Sequence, residues 1–279
     1  MRRRLDVELV RRGLVPSRGR AVEAIDAGRV LVGGAPASTP ARQVDGKEAI
    51  ALLAAEGPAY VSRGGHKLAA ALDAFSVDVH GRVAVDVGAS TGGFTDCLLQ
   101  RGALHVYAID VGRAQLAWSL RQDPRVSVME RTNVRSLEPG ALEPRPDLCV
   151  ADLSFISLRT VAPSLLALTT DDAEFVLLVK PQYEAGRARV GRRGVVRDPE
   201  VHAAVLREVV SGLAAAGLGG RRVLPSPLRG ADGNVEFLVY AQRGPATVAL
   251  ADLDDAVART QASHREDESG PTRRPPGSG

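Results

Sequence analysis

Residues 84–96 read AVDVGASTGGFTD: an apolar run ends in an acid, Asp86, and passes into a loop of glycines and small hydroxyl residues. The unbroken, β-branched run has the character of a strand covered on both faces. Gly88, Gly92 and Gly93 permit tight turning and a close approach of backbone to a ligand. The helix expected over residues 93–101 adds free N–H groups at its start. The loop is not a phosphate-binding P-loop, because no Gly-Lys-Ser/Thr follows, and GASTGG fails the dinucleotide pattern G-x-G-x-x-G.

Outward from this loop, strand-like runs recur: RVAVDV (82–87), HVYAID (105–110), RVSVM (125–129), LCVADL (148–153), EFVLLVK (174–180), RRVLPS (221–226) and VEFLVYA (235–241). Helical stretches fall between them at 93–101, 113–121, 157–168 and 199–216. Alternating strands and helices with apolar strands predict an α/β fold on a mostly parallel sheet of seven strands. A Gly- and Asn-containing turn precedes the last strand and makes it antiparallel. In such sheets ligands bind beyond the carboxyl ends of the strands. Asp86, Asp110, Asp152 and Lys180 finish four of the strands. Ionisable groups ending buried strands are costly unless used or paired. Glu236, near the start of the antiparallel strand, projects towards the same edge.

Asp110 lies about twenty residues past the glycine loop, the spacing at which an acid takes a ribose hydroxyl pair. The ligand therefore carries an adenosine-like ribose without requiring a pyrophosphate. S-adenosylmethionine fits first, with Asp86 near its sulfonium end, and a nicotinamide cofactor second. Ser90, Thr91 and Phe94 complete the loop. Asn133, in RTNVR, reads either as an adenine neighbour or as a turn residue. Ser154 and Phe155 read either as packing or as contact, and Trp118, the single tryptophan, reads as core.

The first fifty residues read as a separate module: a helix within LDVELVRRGL closing near Gly13, a second from Ser17 to about Ala27, then the strand RVLVGG. Residues 2–20 hold seven arginines against Asp6 and Glu8. Such concentration suits a polyanion, because neutralising phosphates releases counterions. A solvated basic face and a helix-turn-helix DNA reader are the competing readings. A second cluster, Arg187, Arg189, Arg192, Arg193 and Arg197, follows Lys180 and reads as a flexible loop contacting RNA phosphates.

Of the 279 residues, 44% are apolar and 25% charged, with a net charge of +3. Those are ordinary values for a folded soluble protein. The two cysteines, Cys97 and Cys149, lie in no metal-ligand spacing, so neither a metal nor a disulfide framework is expected. No secretory signal or run of about 18 apolar residues occurs, and the expected location is cytoplasmic.

The stretch RLDVELVRRGLVPSRGRAVEAIDAGRVLVGG resembles the small RNA-binding domain shared by a bacterial small-subunit ribosomal protein and many RNA-modifying enzymes. The resemblance implies Arg4, Arg11, Arg18, Arg20 and Arg29 as phosphate contacts. YVSRGGHKL, AVDVGASTGGFTDCLLQRGA, VYAIDVG, DLSFISL and LVKPQYE resemble the haemolysin-A-like (TlyA-type) family of ribosomal RNA 2′-O-methyltransferases. That family joins the small domain to a cell-division-protein-J-like methyltransferase domain of Rossmann-like class I. The resemblance implies S-adenosylmethionine as donor, cytidine ribose in ribosomal RNA as acceptor, and a Lys-Asp-Lys-Glu tetrad at Lys67, Asp152, Lys180 and Glu236. A ribose hydroxyl is a weak acid, so its attack needs a positioned base and favourable electrostatics. The expected organisation is an RNA-binding domain over 1–56, a flexible linker over 57–66 with Arg63 also facing RNA, a methyltransferase domain over 67–244, and a largely disordered polar tail over 245–279. A non-catalytic assembly factor and a membrane-active haemolysin are the alternatives.

Overall fold

The structure, a computed structural model, describes residues 2–26, 28–37, 39–53, 59–191, 194–230 and 233–268. The chain divides into two compact units, Met1–Ala59 and Tyr60–Gly279.

In the first unit β1 (Arg2–Arg4) leads into α1 (Leu5–Arg11), followed by α2 (Arg18–Asp26), β2 (Val30–Val32), β3 (Ala35–Pro36), β4 (Gln43–Asp45) and β5 (Ile50–Leu52). Strand β1 pairs antiparallel with β4, and β2 lies between β3 and β5. Leu5, Leu9, Ile25, Val30 and Val44 close its core. The apolar spacing of LDVELV places Leu5 and Leu9 on one helix face, but Asp6 and Glu8 are buried beside them.

The second unit opens with α3 (Gly64–Phe75), β6 (Val83–Val87), α4 (Gly93–Gln100), β7 (His105–Ile109), α5 (Trp118–Arg121), β8 (Val126–Met129), β9 (Leu148–Ala151) and α6 (Leu158–Leu168). It continues with β10 (Glu174–Val179), α7 (Pro181–Glu184), α8 (Pro199–Ala215), β11 (Leu218–Pro225), β12 (Phe237–Arg243) and α9 (Leu250–Glu268). Seven strands form one sheet in the order β11-β12-β10-β9-β6-β7-β8, with β12 antiparallel to both neighbours and the β8-β7-β6-β9-β10 run parallel. One core packs α6, α8 and α9 on one face, and another packs α3 and α4 on the opposite face. The sheet is the one the strand pattern predicts.

Three local expectations are corrected. Gly64 and Gly65 do not form a flexible joint: they open α3, three residues before the expected start at Lys67. A Cβ on Gly65 would stand 2.3 Å from the ring of Tyr60, so this glycine serves close packing. Val61 N donates to Asp96 Oδ2 at 2.7 Å, fixing the same segment. The rest of the expected linker, residues 57 and 58, lies outside the described residues.

The polar tail forms α9, with Leu253, Ala256, Val257 and Thr260 buried at helical spacing. Mean polarity concealed that stripe, which lies on α8 and β11. Residues 269–279 lie outside the description. Helix α5 spans only Trp118–Arg121, after a loop in which Ala114 takes φ of 54°, and Trp118 is 74% exposed rather than core.

Candidate active site

At the carboxyl ends of β6, β7 and β9 a cavity of about 480 Å³ is lined by Gly88, Ser90, Asp110, Asn133, Asp152 and Phe155, among others. Gly88 has φ of 88°, and a Cβ there would lie 2.4 Å from the carbonyl oxygen of Asp152. The loop therefore passes the neighbouring strand end at a distance that only glycine permits. Asp110 Oδ2 accepts from Ser90 N at 2.8 Å and its Oδ1 from Gly112 N at 2.6 Å. Each oxygen keeps a further lone pair for a ligand hydroxyl. Asn133 caps a short helical turn, accepting from Arg135 N at 3.0 Å, as the turn reading expects, and its side chain also lines the cavity.

Four of the expected loop residues do not line this cavity. Phe94 is buried in the α3–α4 core against Gly64. Gly92 takes φ of 96° at the start of α4, where a Cβ would collide with Leu116 and Leu120. Thr91 is exposed, and its carbonyl accepts from Ala117 N at 3.2 Å. Asp86 is fully buried beneath the loop, with Oδ2 accepting from Thr95 Oγ1 at 2.7 Å and Oδ1 unpartnered. Desolvation, reinforced by the Asp152 charge and only partly relieved by Thr95, raises its pKa to about 7. Thr95 and Gln115, whose Oε1 accepts from Ser90 Oγ at 3.2 Å, were not singled out in the sequence because neither belongs to a recognisable pattern.

Beside the cavity the four residues expected to form a tetrad make two ion pairs. Lys67, buried on α3, donates to Glu236 Oε2 at 2.5 Å. Glu236 precedes β12 and is buried; desolvation raises its pKa, against the opposing pull of Lys67. Gly230 gives that carboxylate room, since a Cβ there would meet Glu236 Oε1 at 2.0 Å. Lys180, following β10, pairs with Asp152 and donates to Ser154 Oγ at 3.3 Å. Glu184 on α7, unremarked in the sequence, accepts from Ser157 Oγ at 2.6 Å and Leu158 N at 2.7 Å. It thereby ties the segment after Lys180 to the start of α6. Phe155 is not packed away: it is 88% exposed with φ of 66°, its ring centroid 4.9 Å from that of Tyr183.

Residues 60–243 match the FtsJ-like methyltransferase model and residues 3–50 the S4 domain. The chain belongs to the FtsJ-like methyltransferase family. It is 50% identical over 259 residues to the 16S/23S rRNA (cytidine-2'-O)-methyltransferase TlyA of Mycobacterium tuberculosis, covering 92% of this chain and 97% of that one. It is 48% identical to YqxC of Bacillus subtilis, covering 85% and 84%. A solved structure from Streptococcus thermophilus that carries a hemolysin name aligns with a TM-score of 0.77 at 38% identity, covering 96% and 98%. The cavity lies beyond the carboxyl ends of the parallel strands, where open α/β sheets bind their ligands.

The basic residues vary in setting. Arg4 and Arg18 pair with Asp6, and Arg11 with Glu8. Arg20, Arg29 and Arg63 are half-buried, and Arg187 is exposed. Arg189 is engaged by Glu208 at 2.7 and 2.8 Å. Arg192 and Arg193 lie outside the described residues. The segment after Lys180 is not a loose loop throughout, since Val195 and Val196 are buried and Asn234 Oδ1 accepts from Val196 N at 3.1 Å. Among the described residues no helix is long and apolar enough to cross a membrane, and no cluster of potential metal ligands occurs.

Proposed function

We propose that this methyltransferase transfers the methyl group of S-adenosylmethionine to the 2′-hydroxyl of cytidine in ribosomal RNA. The observation that carries the reading is the convergence of two Lys–carboxylate pairs, Lys67 with Glu236 and Lys180 with Asp152, beside a cavity bearing Asp110. The name of the mycobacterial relative supports the acceptor.

The cavity suits the donor on its own chemistry. Gly88 leaves backbone in contact range, Asp110 offers free lone pairs to a ribose, and Asn133 and Gln115 supply amides. When bound, S-adenosylmethionine supplies a sulfonium methyl that a ribose oxygen can take, releasing a neutral thioether.

The chain's own residues do the rest. Lys180 Nζ, held by Asp152 and Ser154, stabilises negative charge developing on the hydroxyl oxygen, and its unprotonated form accepts that oxygen's proton. Lys67 adds positive potential and is fixed by Glu236. Alignment of the hydroxyl is itself a large part of the acceleration. The S4 domain and the arginines after Lys180 hold phosphates, which gives binding a steep salt dependence. Drawing the cytidine out of its helix costs a few kcal/mol of stacking.

The test is transfer of labelled methyl groups into 30S and 50S subunits that lack the modification. Incorporation that maps to cytidine ribose and disappears in Lys180→Ala supports the reading. Binding of the donor without incorporation into either subunit overturns the acceptor.

A further inference from the structure

The N-terminal unit carries a charge arrangement that raw affinity for a polyanion does not explain. Asp6 and Glu8 lie on α1 among Leu5 and Leu9, with side chains only 2% and 1% exposed. A buried carboxylate is costly unless paired. Each also cancels a positive charge in a strongly basic stretch of the chain. Were the arginines there only to supply charge, an apolar residue at either position would pack as well and attract RNA more strongly.

The acids hold arginines in fixed geometry. Asp6 Oδ1 accepts from Arg4 Nε at 3.0 Å, and its Oδ2 from Arg4 Nη2 at 3.1 Å and Arg18 Nη2 at 2.8 Å. One buried carboxylate thus gathers two guanidinium groups from β1 and the start of α2, both well exposed at 46% and 62%. Glu8 does the same with Arg11, at 2.8 and 2.6 Å, and with Arg12 at 2.8 Å. Arg12 is tied inward to the carbonyls of Gly46 and Glu48, so it fixes Glu8 while Arg11 faces out. The arginines hold both carboxylates well below their usual range, at about 2. A guanidinium has five N–H donors in a rigid fork, so those bonds leave others directed outward.

We propose that Asp6 and Glu8 are positioning residues for RNA: by holding Arg4 with Arg18, and Arg11, in preset orientations, they make this unit select phosphodiester groups at fixed spacing in folded RNA over polyanions in general. The proposal rests on the RNA-binding reading of this unit. Guanidinium groups already fixed lose less side-chain freedom when a phosphate is clasped. A single-stranded polyanion can move its phosphates to meet loose cations, whereas folded RNA cannot.

The experiment measures binding of the full chain to unmodified 23S ribosomal RNA and to poly(U) at several salt concentrations. Asp6→Asn keeps the shape and adds one net positive charge. Its expected effect is about a five-fold loss of affinity for ribosomal RNA, comparable to one ordinary hydrogen bond, with poly(U) affinity unchanged or raised. Equal or tighter binding to ribosomal RNA overturns the proposal. Arg4→Lys and Arg18→Lys, at exposed positions, keep charge but lose the fork, and cover the case in which Asp6→Asn fails to fold. They are expected to lose ribosomal RNA affinity and keep poly(U) affinity, and full retention of both overturns the proposal. Arg4→Ala with Arg18→Ala separates the two levels: no loss of ribosomal RNA affinity in that pair refutes RNA binding by this unit. A loss there without a loss in Asp6→Asn and the Lys variants refutes positioning alone.

Discussion

Lys67 and Glu236 stand 169 positions apart in sequence, yet Lys67 Nζ lies 2.5 Å from Glu236 Oε2 in a buried pair. Helix α3 precedes the first strand of the second unit's sheet, and Glu236 precedes its last, so the pair ties together the two ends of the methyltransferase fold. A buried pair of this kind is expensive to break by halves. Substituting Glu236 by Gln is expected to lower the rate of methyl transfer about a hundred-fold or more while leaving donor affinity within a few-fold. Lys180→Ala should abolish turnover with the same preserved affinity. Donor titration by calorimetry beside single-turnover kinetics checks both, and loss of donor binding in Lys180→Ala would contradict its placement at the acceptor.

Asp86 sets a pH dependence of stability. Its carboxyl ionises near 3.8 in the unfolded chain and near 7 in the folded one, chiefly through desolvation. Between those values the folded state holds the extra proton, so this group's contribution weakens as pH rises from about 4 to 7 and then levels off. Asn mimics the protonated form and escapes that loss. The stability advantage of Asp86→Asn over the parent is expected to be absent near pH 4 and to reach a few kcal/mol above pH 7. Thermal melts of both proteins across that range test it, and a pH-independent difference would refute it.

Phe155 combines 88% exposure with φ of 66°, at the mouth of the cavity and against Tyr183. A strained, exposed aromatic costs stability and contributes no core, which points to a contact with the acceptor. An unstacked base offers a face to such a ring, at about 1–3 kcal/mol. Phe155→Ala is expected to raise KM for ribosomal RNA about ten-fold or more, with melting temperature unchanged or higher and donor affinity unchanged. Steady-state kinetics with varied RNA provides the check.

Leu253 is 1% exposed on α9 and joins the core on α6 and α8. Leu253→Ala is expected to destabilise the second unit by about 2–4 kcal/mol, the ordinary loss for a buried leucine. Urea unfolding followed by circular dichroism would read this, and a change below about 0.5 kcal/mol would show that α9 is not part of the cooperative unit.

Much of the chain was legible before its structure. Strand runs such as RVAVDV and EFVLLVK carry their own periodicity, and the residues that end them, Asp86, Asp110, Asp152 and Lys180, are fixed at the carboxyl edge once the sheet is parallel. The glycine loop and the twenty-residue spacing to Asp110 likewise state a ligand class, because turn chemistry and strand length are local. What sequence could not decide was direction. Phe94 and Gly92 belong to the same loop as Gly88 and Ser90, yet one pair faces the α3–α4 core and the other the cavity. That choice depends on Gly64, Leu116 and Leu120, which arrive from elsewhere in the chain. Asp6 and Glu8 read as counter-charges to the arginines and are buried, because Arg4 of β1 and Arg18 of α2 close over Asp6, and Arg11 and Arg12 over Glu8. Trp118 read as core and is exposed, and α9 read as tail and is packed. Periodicity and end residues are properties of short segments, so the sequence by itself determined the sheet and the ionisable residues that stand at its carboxyl edge. Burial, pairing across 169 residues and the facing of each loop side chain are properties of surfaces brought together, so only the tertiary structure decided them.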